Sequence, residues 1–248
     1  MSKIRDQARA ARKAGRSLAA LSGSARSALL HDLASALRDP PIIAALIAAN
    51  TEDLALAHAA LERGEIDPAR YKRLALDADK LGSVADGLAQ LADAPELLGH
   101  ADLRRELDEG LVLERVPCPL GVLGVVFEAR PDAVPQIGGL ALKSGNAALL
   151  KGGREALHSN RALVAQIHRV LVRHDLDPAC IALLEQREEL DELLAQHDLL
   201  DLIVARGGKA FVHHVQAHTK IPVMGHAEGL CHLYLHRAAN RHGHRDRD

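Results

Sequence analysis

Glycine recurs in this chain where strand-like runs give way to helical ones, at Gly121 and Gly124, at Gly152-Gly153 and at Gly207-Gly208. Without a β-carbon, such positions let backbone amides approach a phosphate at a helix amino terminus, where the dipole is positive. A tight strand-to-helix turn with no ligand uses the same glycines. None of them forms a G-x-G-x-x-G fingerprint at a strand–helix junction, or a P-loop. Lys151 closes a strand-like run just before Gly152-Gly153. A cation at the carboxyl end of a parallel strand can meet a ribose or its phosphate; the plain alternative is a lysine snorkelling at the surface. Glu155 either accepts from a ribose hydroxyl or stabilises the first turn of its helix.

Cys118, Cys180 and Cys231 lie far apart, are odd in number and lack C-x-x-C spacing. Neither a disulfide framework nor a zinc site follows from them, and a reducing compartment is expected. Cys231 has His232 beside it, but neighbours on a strand point to opposite faces, so the histidine is poorly placed as its base. A small buried thiol is the expectation there. His213-His214, His218, His226 and His232 show no H-E-x-x-H or comparable spacing, and no metal is expected.

Composition limits the elements that can hold these groups. Hydrophobic residues make up 48% of the chain and aromatics 2%. That excludes a disordered chain, requires an aliphatic core and removes the stacking platforms of single-strand nucleic-acid binders. With 31 basic and 33 acidic residues, no global field exists to hold nucleic acid. The longest apolar run, Ile42 to Ala49, is too short to span a bilayer, so no membrane is expected. Residues 1–30 carry Lys3, Arg5, Arg9, Arg12, Lys13, Arg16 and Arg26 against one acid, Asp6, a composition shared with transit peptides. The spacing of Ile4, Ala8, Ala11, Leu18 and Leu21 favours a helix with one face on a core.

From residue 3 to 97 the pattern is helical. Leu29, Leu30, Leu33 and Leu37 form a stripe; Pro40-Pro41 precedes a second helix that runs to Arg63, with Gly64 as its left-handed cap. Tyr71 to Leu91 reads as one further amphipathic stretch, and no strand is expected before residue 110. Thereafter strand-sized runs at Val122–Phe127, Ala147–Lys151, Ile181–Leu184, Leu202–Val204 and Pro222–Met224 alternate with helical runs around Ala133–Lys143, Glu155–His174, Glu188–Gln196 and Lys209–His218. Strict alternation predicts βαβ units: an α/β fold with a Rossmann-like, doubly wound parallel sheet behind a helical region. Residues 1–225 are expected to hold both, helical over 1–109 and sheet over 110–225. The polar run from His236 to Asp248 is expected to be disordered.

Arg115-Val116-Pro117, Phe127-Glu128-Ala129-Arg130-Pro131, Lys143-Ser144-Gly145-Asn146 and Leu150-Lys151-Gly152-Gly153-Arg154-Glu155 stand in close succession. With Asn50, Glu52-Asp53-Leu54, Arg206-Gly207-Gly208 and Gly229-Leu230-Cys231-His232, they make the chain resemble γ-glutamyl phosphate reductase (glutamate-5-semialdehyde dehydrogenase), a branch of the aldehyde dehydrogenase superfamily. The resemblance implies a sheet of the aldehyde dehydrogenase type and a cytoplasmic oxidoreductase of proline biosynthesis. It implies NADPH as cofactor, and reduction of γ-glutamyl phosphate to glutamate-5-semialdehyde and phosphate through a cysteine thioester. Lys151, Gly152, Gly153, Glu155, Gly207 and Gly208 would then contact the cofactor, with Arg130 and Asn146 on the substrate side of the crevice. A homo-oligomer or glutamate 5-kinase would be the partner of the full-length family.

Two departures accompany this likeness. Family members keep the nucleophile in a segment beyond the strand that Cys231 matches, so no catalytic residue is assigned here and 226–248 is expected to be an aborted start of the catalytic domain. Arg241 to Asp248 has no family likeness, as a shifted reading frame would give. At Tyr71-Lys72-Arg73-Leu74 the family prefers an acidic residue before Arg-Leu. An inactive chain is therefore expected, with a non-catalytic nucleotide-binding module or a pseudogene remnant as alternatives.

Overall fold

The computed structural model describes residues 3–186, 188–225, 233, 234 and 236. Helices come first: α1 (Lys3–Ala19), α2 (Gly23–Ala36), α3 (Pro40–Glu62), α4 (Pro68–Leu74) and α5 (Ala78–Asp93). α1 buries Ile4, Ala8, Ala11, Ala14 and Leu18. Its arginines turn to acids, Arg5 to Asp198 and Arg12 to Asp201, the latter at 2.8 Å. The basic amino-terminal stretch is thus a packed helix. Gly64 ends α3 at φ +69°, the left-handed conformation expected of it. By length and composition alone α3 could cross a membrane. In this fold, however, Asn50 and Asp53 are each 1% exposed and bond to residues of other elements.

Tyr71 to Leu91 is not one helix. Ala75 is extended, Leu76 N donates to Asn50 Oδ1 at 2.8 Å, and Asp77 caps α5 through Lys80 N. These polar contacts end one helix and start the next within an unbroken apolar period. A second difference is the antiparallel hairpin of β1 (Leu103–Asp108) and β2 (Leu111–Arg115), whose first strand falls where no strand was expected. Every residue of both strands is exposed. With neither face buried, the run carries no half-buried alternation to read.

The remaining strands, β3 (Val122–Val126), β4 (Ala147–Lys151), β5 (Ile181–Leu184), β6 (Leu202–Ala205) and β7 (Val223–Gly225), form a parallel sheet in the order β5-β4-β3-β6-β7. α6 (Ala133–Lys143), α7 (Leu157–Arg173), α8 (Glu189–Leu194) and α9 (Lys209–Ala217) connect them. β4 is buried at every position. Ala148 and Leu150 pack with Leu142, Leu163 and Ile167, whereas Ala147 and Leu149 meet Ile4, Ala8 and Ala11 of α1. Burial on both faces is why β4 reads as an apolar run rather than an alternating one.

From β3 the chain steps outward through β4 to β5, then returns to the other side for β6 and β7. The order therefore reverses between β3 and β6, and in open α/β sheets ligands bind outside the carboxyl ends of the strands at such a point. Expectations for Cys231, His232 and residues 237–248 lie outside the described residues.

Candidate functional site

Beyond the carboxyl end of β3 come Phe127, which is buried, Glu128, which is exposed, and Ala129, which is buried at φ +43°. A left-handed alanine costs about 1 kcal/mol, so the surroundings must impose it. Ala129 N donates to Glu155 Oε1 at 3.0 Å, and Phe127 N donates to Lys151 O at 3.0 Å. The ends of β3 and β4 are thereby tied together.

At the end of β4, Lys151 is 7% exposed and its Nζ donates to Gly152 O at 2.8 Å. Burial pushes the pKa of this ammonium down, while Glu189 and Glu155 pull it up. It is no snorkelling surface lysine: the side chain is buried at the strand's end. A β-carbon at Gly152 would press on the Asn160 amide and lie 3.3 Å from Phe127 Cε2. A 3-10 turn, Arg154–Ala156, follows. Glu155 Oε1 also accepts from Arg70 Nη2, on α4, at 3.0 Å.

At the end of β6, Gly208, which has no side chain to cap with, is the N-cap of α9, and open space lies where its β-carbon would stand. Amides at a helix start, reachable because Gly208 has no side chain, suit an anion. At Gly207 a β-carbon would meet Phe211 Cδ1 at 2.8 Å.

Two clefts open along this edge and share Phe127 and Glu128 as a wall. One, of about 800 Å³, is lined by Arg70, Lys151, Gly152, Gly153 and Glu155. The other, of about 560 Å³, is lined by Arg73, Arg130, Arg206, Gly207 and Gly208. Arg130 Nη2 stands 3.5 Å from Asp132 Oδ2. The crevice thus gathers Lys151, Gly152, Gly153, Glu155, Gly207, Gly208 and Arg130.

Asn146 is not among them, and the expectation that it faces the crevice is corrected. It immediately precedes β4, so in a parallel sheet it falls on the amino-terminal edge. There its Oδ1 accepts from Gly121 N at 2.8 Å and its Nδ2 donates to Ser144 Oγ at 2.9 Å. Gly121, at φ +126°, lies on the same edge, where Val122 N donates to Asp201 Oδ2. Gly124 serves packing: a β-carbon there would lie 2.9 Å from Leu200 Cδ2. Arg70 escaped the sequence reading because nothing in local spacing links it to a carboxylate 85 residues away.

Cys118 and Cys180 precede β3 and β5, which sets both on the edge away from the crevice. Burial, with Asp177 adding to it, pushes the Cys180 thiol up to about 11, while Cys118 is exposed. Brief alkylation of the native chain near pH 8, followed by site-resolved mass spectrometry, should label Cys118 and leave Cys180 more than about a hundredfold slower, since the thiolate reacts. Equal labelling would contradict the packing.

No family model matches the chain. It is 51% identical over 229 residues to the γ-glutamyl phosphate reductase of Cyanothece sp., a match that covers 92% of this chain and 52% of that protein. The crystal structure of γ-glutamyl phosphate reductase from Saccharomyces cerevisiae superposes with a TM-score of 0.82 at 36% identity, covering 92% of this chain and 57% of that one. An acetylating aldehyde dehydrogenase from Geobacillus thermoglucosidasius shares the fold, with a TM-score of 0.67 at 17% identity over 89% of this chain and 45% of its own. The chain spans about half the length of the curated relatives it matches. Over that half, the chain belongs to the γ-glutamyl phosphate reductase family.

Proposed function

We propose that these residues form the cofactor-binding part of an NADPH-dependent oxidoreductase that converts γ-glutamyl phosphate to glutamate-5-semialdehyde and phosphate in proline biosynthesis. One juxtaposition carries the reading. A buried cation, Lys151, ends β4, and the glycine-led start of α9 follows β6, on either side of the central β3. The donor set fits a dinucleotide: Lys151 and Glu155 for a ribose, and the amides after Gly207 and Gly208 for the pyrophosphate. When bound, the nicotinamide supplies hydride.

The chain's own residues bind and orient. Lys151 offers a desolvated ammonium, Phe127 walls both clefts, and the Ala129–Glu155 hydrogen bond fixes the loop beside them. Gly152 and Gly153 keep the backbone clear of side chains along the first cleft. Arg130 stands toward the second cleft, on the side proposed for substrate. The amino-terminal helices and the parallel sheet are proposed to work as one unit. None of Cys118, Cys180 and Cys231 is assigned the nucleophile's part, so the 248 residues alone bind without turning over. A cytoplasmic setting agrees with the free thiols of Cys118 and Cys180. The partner proposed for the full-length protein is a second copy or glutamate 5-kinase.

Titration calorimetry with NADPH on the 248-residue chain tests this. One saturable event is expected, with no absorbance change at 340 nm (the wavelength of the reduced nicotinamide) when glutamate-5-semialdehyde, phosphate and NADP are supplied together. No heat at millimolar cofactor would refute the cofactor site, and steady turnover would refute the exclusion of the cysteines.

A further inference from the structure

The ion pair between Arg70 and Glu155 joins α4 to the crevice across 85 residues, and its form is unusual for a strut. Glu155 Oε1 takes two donors, Arg70 Nη2 and Ala129 N, both at 3.0 Å. Arg70 Nε is buried without a partner. The Arg70 side chain is 31% exposed, against 15% for Glu155, and it lines the cleft that holds Lys151 and Arg154. Burial works against the charge of Arg70, but Glu155, with Glu128 and Asp67 adding to it, keeps the guanidinium above its ordinary value.

A carboxylate beside a ribose normally selects a free hydroxyl and repels a phosphate on it. At Glu155 that repulsion is offset by a guanidinium in direct contact, and that guanidinium has donors to spare. Arginine presents five N–H groups in a fork that suits phosphate oxygens, and here one is spent on Glu155. Arg154 and Lys151 line the same cleft and add positive charge to it. We propose that Arg70 is a specificity-determining residue that reads the 2′-phosphate of the cofactor's adenosine, so that the Arg70–Glu155 pair selects NADPH over NADH. This rests on the crevice being a cofactor site, and it makes a residue of the amino-terminal helices part of that site.

The test compares NADPH with NADH by fluorescence titration of the whole chain, and adenosine 2′,5′-bisphosphate with AMP by competition, for the parent, Arg70→Ala and Arg70→Lys. Losing a charge-assisted phosphate contact should weaken NADPH and the bisphosphate about ten- to thirtyfold in Arg70→Ala. NADH and AMP should change less than about twofold, the range left to a residue that does not touch them. Arg70→Lys should restore part of the discrimination, because a point charge still attracts phosphate without the fork. Equal weakening of all four ligands would make Arg70 a strut and overturn the assignment, as would no change in any of them. If the parent binds neither nucleotide, the cofactor site itself fails and this assignment with it; binding of both without discrimination overturns the assignment alone. Should Arg70→Ala melt early, the ratio of the two affinities in Arg70→Lys still decides.

Discussion

Replacing Asp53 by alanine is expected to lower the stability of the chain by about 3 kcal/mol, because two backbone amides lose their acceptor at about 1–3 kcal/mol for a buried one. α7 lacks a side-chain cap of its own. Asp53, 1% exposed on α3, supplies one from a distance, accepting from His158 N at 3.0 Å and Ser159 N at 2.8 Å. A carboxylate at a helix amino terminus also meets the positive end of the dipole. Asn50, one turn earlier, donates to Ser159 Oγ and to Leu74 O, so α3 holds both α7 and the end of α4. Asp53→Asn keeps one acceptor oxygen and should cost about half as much. Urea denaturation of the three proteins checks the order, and a loss below about 1 kcal/mol for Asp53→Ala would contradict it. Glu155 lies in the turn directly before α7, so Asp53→Ala should weaken nucleotide binding as well.

Lys151→Met is expected to separate binding from stability. The ammonium is buried, and its lowered pKa means that the fold bears a cost to keep it charged. A methionine of similar length removes that cost and loses the hydrogen bond to Gly152 O, and the two offset to within about 1 kcal/mol. Nucleotide affinity has no such compensation. Losing a charged donor costs about 1.5–3 kcal/mol, or about ten- to a hundredfold in Kd. Calorimetry and thermal melting on one sample measure both. A stable variant with parental NADPH affinity would remove Lys151 from the site.

Much of the fold is legible in the chain because burial writes it there. Ala147-Ala148-Leu149-Leu150 is unbroken because both faces of β4 are covered, and Ile4, Ala8 and Ala11 are spaced as a helix because α1 covers one of them. Lys151 and the glycine pairs at 152–153 and 207–208 could be read because strand ends locate them without any knowledge of tertiary partners. What escaped was set by contacts distant in sequence. The break between α4 and α5 needs Asn50, Glu155 is held by Arg70, and α7 is capped by Asp53 over 105 residues. Asn146 was misplaced for a related reason. Its neighbours Lys143 and Ser144 announce an important segment, but only the strand direction tells which edge it reaches. Strand β1 escaped because it buries nothing that could pattern it.

Hydrogen exchange of the full 248-residue chain, with and without NADPH, tests most directly whether the crevice at the β3–β6 reversal is the cofactor site. Slowed exchange is predicted at residues 152–156 and 207–211, with little change along β5 or the β1–β2 hairpin. Protection confined to those other segments, or none at saturating nucleotide, would contradict it.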